Sequence, residues 1–542
     1  MEKNLFQCWS RLLIDNHISD LRPEYMSRFS PEAYVEAVKL AGVQSSMVYA
    51  CDHNGNCYYP TRIGHFHKGC NGRDLFGETV QGLEDAGILP IAYYTVIYHN
   101  ESALNHPEWS VRDINGCTHE GRYRWSCPNN PEYREYAKAQ LAEVVAYPQL
   151  GGIFIDMTFW PRCCCCDSCR REYRRRTGRE IPEIIDWHNP QWVEFQRWRE
   201  ESMADFAAIL TAQVRSVRPD ITVTHQFSPV LAGWWLGQNG GIAAASDYAS
   251  GDFYGGRLQH RFGAKAFAAF TTKHPFEFMT SRCVTLYDHT SAKSDDELYL
   301  HALSTLANGG AYFFIDAINP DGTLNPEFYH RLHGISGKLE NYRRAAAELS
   351  PVLQGNTGLW FSMISCVDES MNGTSLSAIT AAGNNMSLRQ SAVLDETLGC
   401  ADALNRIHAS WKVVVGKDER ELDGLDTIVL CNVAYLSAEE CARIRNFVKN
   451  GGRLLVTGKT SLFDENGRTT GNFQLADVMG VDYTGNDAAK ISYISAETGC
   501  WAAFRTTPPL DTARSETRVN AYAALPDFPP RDENEYASIH SD

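Results

Sequence analysis

The feature that most constrains this chain of 542 residues is an eightfold alternation of short apolar runs and amphipathic helical segments. The runs are "RLLIDN" (11–16), "SSMVYA" (45–50), "ILPIAYYTV" (88–96), "GIFID" (152–156), "DITVTHQF" (220–227), "AAASDYAS" (243–250), "FEFMTS" (276–281) and "GAYFFID" (310–316). Each has the length of a strand, and several are apolar on both faces, as in parallel sheets covered by helices. The intervening helical segments open on Ser, Asn or Pro and often close on Gly, the residues that cap helices. Eight such units imply a (β/α)8 barrel over residues 1–350, with a doubly wound sheet as the alternative. Near "ELSPVLQG" (348–355) the rhythm changes. "TGLWFSM", "WKVVVG", "LDTIVLCN" and "GGRLLVTG" predict a smaller open α/β domain over 352–490, Rossmann-like or glutamine-amidotransferase-like. Residues 491–542 read as turn-rich, without a closing element, as if the last module were cut short.

A barrel of this kind places its chemistry at the C-terminal ends of its strands. Asp156 ends the fourth run, where a carboxylate without partners costs several kcal/mol. Other strand ends supply Asp15 and His17, Asp52 and His53, Tyr98 and His99, His225 and Gln226, Asp247 and Asp252, and Glu277 with Arg282; Trp160 follows Asp156. Histidines and amides exchange hydrogen bonds with hydroxyls, and aromatic rings cover an apolar sugar face, so the set suits a neutral polyhydroxylated ligand. Two carboxylates on different strands suit glycoside cleavage. A metal-dependent hydrolase competes, yet no His-x-His at strand one, no His-Glu-x-x-His and no phosphate-cradling glycine motif occurs.

Fifty basic against 66 acidic residues give a net charge of −16, with no long basic run. Nucleic acid and anionic membranes are therefore poor partners. No stretch has the pattern of a signal peptide or membrane span, and 17 cysteines without an export signal point to reduced thiols and a cytoplasmic location. Five of these cysteines lie in "PRCCCCDSCRREY", Cys163–Cys166 and Cys169. The spacing suits thiolate binding of zinc, but no second pair follows at a recognisable distance. The expectation is a reduced, tightly packed loop with no metal and no cofactor.

Several segments together resemble the family 29 α-L-fucosidases and, more closely, their family 151 and hypothetical glycosyl hydrolase relatives. These are "LLIDNHIS", "DHNGNCYYP", "GRDLFGETVQGLEDAGILPIAYYTV", "QLAEVVAYPQLGGIFIDM", "HPFEFMTSR" and "LANGGAYFFIDAINPDG". The likeness spans most of residues 1–345, though the Trp-Gly expected after His17 is missing and Asp52 stands where the family has a histidine. It implies a retaining exo-glycosidase, an α-L-fucosidase acting on fucosylated glycosides. Asp156 would be the nucleophile and Glu277 the acid/base, with His17, His53 and Tyr98 binding substrate; the strand-end set adds His99, Trp160, His225, Asp252 and Arg282 as expected substrate contacts, and Asp247 and Asp252 as further acid/base candidates. The alternatives are a related exo-glycosidase such as a β-galactosidase, or an inactive sugar-binding barrel. "LSAEECARIRNFVKNGGRLLVTGKTSLFDENG" is similar to the trimerisation domain of family 42 β-galactosidases, which implies a homo-oligomer, a trimer or hexamer.

Overall fold

The computed structural model describes residues 4–284, 291–349, 353–379 and 392–485, with strand backbones at 492–496, 499–503, 510–511 and 522–524. The chain divides into two compact units. One comprises residues 1–186, 194–353 and 370–390; the other comprises 187–193, 354–369 and 391–542.

The first unit is a (β/α)8 barrel. Its strands are β1 (Ser10–Asp15), β2 (Ser45–Tyr49), β3 (Leu89–Thr95), β4 (Gly152–Asp156), β5 (Thr222–His225), β6 (Asp252–Phe253), β7 (Phe276–Ser281) and β8 (Gly310–Ala317). All pair in parallel, β8 returning to β1. The ring closes between β5 and β6 through a parallel bridge of Gln226 with Ser250 and a bond from Phe227 N to Ser250 O of 2.8 Å. Helices α1 (Pro31–Ala41), α2 (Leu75–Asp85), α3 (Pro131–Val145), α4 (Asp167–Thr177), α5 (Pro190–Val217), α6 (Arg257–Phe270), α7 (Asp295–Ala307) and α8 (Pro326–Leu349) lie between or after the strands. Their starts follow from sequence: Ser30 caps Ala33 N with Pro31 in the first turn, Asn130 caps Tyr133 N, and Ser294 caps Glu297 N. Gly42, at φ 73°, ends α1 in the left-handed conformation that a side chain would strain.

The sixth strand differs from expectation. Within "AAASDYAS" the alanines finish a short helix, Gly240–Ala244, and the strand itself falls at Asp252–Phe253. A small-residue run with no β-branched side chain favours a helix end over a strand.

The second unit holds a four-stranded parallel sheet of β9 (Thr357–Trp360), β10 (Trp411–Val414), β11 (Thr427–Cys431) and β12 (Arg453–Thr457), in the order β10-β9-β11-β12. Helix α9 (Ala392–Arg406) precedes β10, and α10 (Ala438–Lys449) joins β11 to β12. A capping box between Ser437 and Glu440 starts α10. The segment expected to be turn-rich carries antiparallel strands instead. Ser492–Ala496 pairs with Gly499–Ala503 and Tyr522–Ala524, and Asp482–Tyr483 pairs with Leu510–Asp511. Among the described residues no helix is long and apolar enough to cross a membrane.

Candidate active site

Asp156 is the last residue of β4 and 7% exposed. Its carboxylate accepts from Tyr93 Oη, from His53 Nε2 at 3.2 Å and from Met157 N at 2.8 Å. Met157 sits at φ 61°, a left-handed conformation unusual for a side chain, which turns its N–H back toward the carboxylate. Burial pushes the Asp156 carboxyl up to about 6, against the pull of these donors.

A second tyrosine–carboxylate pair stands beside it. Tyr49 Oη donates to Asp15, and the Tyr49 and Tyr93 rings stack with centroids 3.9 Å apart. They are opposite partners in the β2–β3 register, so both hydroxyls point to the same layer. His17 Nε2 lies 3.1 Å from Asp15 Oδ1, and His53 N donates to His17 Nδ1 at 3.3 Å, which places the proton of the neutral ring on Nε2. Burial pulls the two pKa values toward neutral forms, but their mutual charge and hydrogen bond outweigh it: Asp15 falls well below, and His17 rises above, its ordinary value. His53 goes far down through burial and then the charge of His17, so it meets Asp156 as a neutral donor.

Across the mouth, Asp252 on β6 is half-buried and accepts from Gln226 Nε2 at 2.5 Å and Ser228 Oγ at 3.0 Å. Burial and then the charge of Asp156 raise its pKa. Tyr254, two residues on, hydrogen-bonds the same carboxylate. Asp156 and Asp252 are therefore electrostatic neighbours, both biased toward holding a proton. The former has the richer set of donors to its anion.

The other expected residues divide. Tyr98 is half-buried beside His53, centroids 6.0 Å apart. Four are engaged in other contacts. His99 is buried as the cap of the short helix Asn100–Asn105, its Nδ1 accepting from Ser102 N at 3.1 Å. His225 is buried between Thr158 and Thr211 Oγ1, at 3.2 and 2.8 Å. Trp160 has no exposure, and its Nε1 donates to Arg199 O at 2.8 Å, so it presents no face to a sugar. Arg282 Nε pairs at 2.7 Å with Asp316, which also accepts from Tyr329 of α8.

Glu277 is the principal correction. It is the second residue of β7, four residues before the strand end, roughly 13 Å short of the mouth at the usual rise per residue. Fully buried, it pairs with Arg11 Nη1 at 2.6 Å and accepts from Ser250 Oγ. Arg11 is the second residue of β1 and donates also to Cys8 O and Leu5 O, both at 3.1 Å. The pair plugs the N-terminal end of the barrel. Asp247 is likewise engaged elsewhere, by Arg215 and by Lys273 at 3.3 Å. Asp52 organises its own loop, accepting from Asn54 N and Asn56 N, each at 2.9 Å.

The cysteine loop also differs from expectation, because the missing partner precedes it. Cys127 joins Cys164, Cys166 and Cys169, all four buried with their Sγ atoms within 4.8 Å of one another. Cys127 and Cys169 are 3.5 Å apart, and Cys164 and Cys127 3.8 Å. A tetrahedral zinc thiolate with Zn–S of about 2.3 Å needs sulfurs roughly 3.8 Å apart, so the donor set fits. Asn129 adds donors to sulfur, from its N to Cys127 at 3.4 Å and its Nδ2 to Cys169 at 3.6 Å. Four thiolates around one ion would leave no open position for substrate, so a metal held here would be structural. It ties the loop after β3 to the loop after β4.

Residues 30–157 match the family model of "Hypothetical glycosyl hydrolase 6". Among solved structures, the chain resembles α-L-fucosidase isoenzyme 2 from Paenibacillus thiaminolyticus at 18% identity and TM-score 0.74, over 98% of this chain and 76% of that one. It resembles a β-galactosidase from Rahnella sp. R3 at 14% identity and TM-score 0.74, over 99% and 86%. A catalytic mutant of a GH42 β-galactosidase from G. stearothermophilus aligns at 12% identity and TM-score 0.75, over 95% and 82%. No curated protein matches in sequence. These structural likenesses establish the fold, a (β/α)8 barrel with a further α/β unit, which this chain shares with those glycosidases.

Proposed function

We propose that this glycoside-hydrolase barrel is a retaining exo-glycosidase that releases terminal L-fucose, with Asp156 as nucleophile and Asp252 as acid/base. The observation that carries the reading is the Asp156 carboxylate, held at the end of β4 by Tyr93, His53 and Met157 N and coupled electrostatically to Asp252. Donors fixed around an anion keep it aimed at a carbon atom; Asp252 feels the charge of Asp156, so it is the carboxyl left to begin as an acid.

In the first step Asp156 attacks the anomeric carbon while the Asp252 proton passes to the departing glycosidic oxygen. In the second, Asp252 takes a proton from water, water attacks the anomeric carbon, and the Asp156 ester breaks. Fucose is favoured by the ordered motifs along residues 1–345 and by the fucosidase likeness over 98% of the chain. Galactose is the second glycone to consider, because several of the similar structures are β-galactosidases.

A panel of nitrophenyl glycosides tests this, with NMR detection of the first-formed anomer. Turnover of the α-L-fucoside with retained configuration supports the reading. Turnover of the β-D-galactoside alone changes the glycone, and an inverted product rules out Asp156 as nucleophile.

A further inference from the structure

Past His53 the mouth continues as a row of aromatic side chains. Tyr123 meets the His53 ring edge-on, centroids 5.1 Å apart, and lies 6.5 Å from Tyr98. Tyr98 lies 5.7 Å from Phe159 and 5.8 Å from Trp125, which are buried behind it. Tyr98 and Tyr123 are half-buried, and both rings flank His53, the donor to the Asp156 carboxylate. Such rings present the flat apolar surface on which a sugar stacks.

The loop carrying Tyr123 is held firmly. Asn100 donates to Arg122 O at 3.1 Å and accepts from Arg124 N at 2.6 Å, while Ser126 N donates to Ile97 O at 2.8 Å. Cys127 then anchors the loop in the thiol cluster. A platform fixed at both ends loses little entropy on binding.

Arg122 adds a charge. Its guanidinium sits 4.8 Å over the Tyr123 ring, the residue is exposed, and among the described residues it forms no salt bridge. Its charge also reaches His53. It is a cation at the rim of a mouth whose strand ends carry Asp15, Asp52, Asp156 and Asp252, in a chain of net charge −16. The hydroxyls of a neutral sugar accept from such a residue singly and leave its charge unmatched. A carboxylate matches its planar fork.

We infer that Tyr98 and Tyr123 form the aglycone platform and that Arg122 selects aglycones bearing a carboxylate, sugars of the uronic-acid class. The inference rests on the glycosidase reading above for its biological sense, but its test is binding alone.

The full chain is titrated with methyl β-D-galacturonide and with its methyl ester, which differ in the charge, and binding is read by ligand-observed NMR. The acid is expected to bind about ten-fold more tightly at low salt, the worth of one partly exposed charge-assisted bond. Arg122→Gln should bring the acid-to-ester ratio to about one, Arg122→Lys should keep part of it, and Tyr123→Ala should weaken both ligands. Equal binding of acid and ester to the unaltered protein overturns the inference, as does a preference that survives Arg122→Gln. Failure of every nitrophenyl glycoside to turn over counts against the function proposed above and leaves this ratio to be read as before.

Discussion

The imidazole rings of His17 and His53 lie one over the other, centroids 3.7 Å apart and tilted by 30°. Charge on one ring disfavours charge on the other, and the Asp15 carboxylate favours it on His17; on charging, His17 Nδ1 gains a proton and gives up the bond from His53 N. His17 also lowers the pKa of Asp156, so His17→Asn should raise it above about 6. The acid limb of kcat/KM would then move to higher pH, by roughly half to one unit. A pH–rate profile with an unmoved or lowered acid limb would contradict the charge coupling.

Asp156→Gly is expected to lose about four orders of magnitude or more in kcat on the nitrophenyl glycoside that the protein cleaves. Azide should restore part of it by occupying the vacated position. Asp252→Asn should cost about 10²- to 10⁴-fold on substrates with poor leaving groups and much less on nitrophenyl glycosides. Near-normal activity of Asp156→Gly would exclude it as nucleophile.

Asp156 also burdens the fold. Its folded pKa of about 6 exceeds the ordinary 3.8, so the folded state holds the proton more tightly than the unfolded chain. Below the ordinary value the group is neutral in both states; the cost grows as pH rises between the two values and is complete above about 6. Two units correspond to about 3 kcal/mol. Asp156→Asn should therefore melt at a higher temperature than the unaltered protein at pH 8, with the gap closing near pH 4. Equal melting temperatures at pH 8 would count against this assignment of strain.

Glu277→Gln should leave kcat on nitrophenyl glycosides near normal and lower stability by several kcal/mol, because it uncovers the buried Arg11 charge. Replacing both partners, Arg11→Met with Glu277→Leu, should recover much of the loss. Urea unfolding midpoints and kcat measured on the same samples separate the two effects. A kcat collapse in a folded Glu277→Gln protein would return this residue to the chemistry.

Elemental analysis of protein purified without chelator should find about one zinc per chain, and Cys127→Ser or Cys169→Ser should lose it. Removal should expose the segments around Tyr123 and Phe159 to proteases before the rest of the barrel, since the cluster joins them. Metal-free protein with unchanged protease sensitivity would leave the four thiols a packed group only.

The barrel was legible in the sequence because its strands are short apolar runs between capped helices, and Asp156 stood out as a charge at the end of one. Tyr49 and Tyr93 were hidden in plain apolar runs, since only the β2–β3 register shows that both hydroxyls reach carboxylates. Glu277 misled for a related reason. A strand's residues alternate between faces, but the sequence does not mark where along the barrel axis a given residue falls, and Glu277 lies near the wrong end. Cys127 was missed because it lies 37 residues before Cys164, a spacing that only the packing of adjacent strand loops brings together.

The barrel's closing seam has a consequence for how the protein ages with heat. β6 has two residues, and β5 is joined to its approach by the Gln226–Ser250 bridge, Phe227 N to Ser250 O, and Asp247 N to Val223 O at 2.8 Å. Val223 N and His225 N also donate across it to the side chains of Asp247 and Ser246, but its backbone pairing is short, and solvent deuterium is expected to enter here before the other strand pairs. Asp252 stands on the far side of that seam, paired with Met279 of β7, whereas Asp156 on the near side pairs with Thr95 of β3. Gentle warming is therefore expected to loosen Asp252, the proposed proton donor, while the rest of the barrel still stands, so that activity fades below the main melting transition.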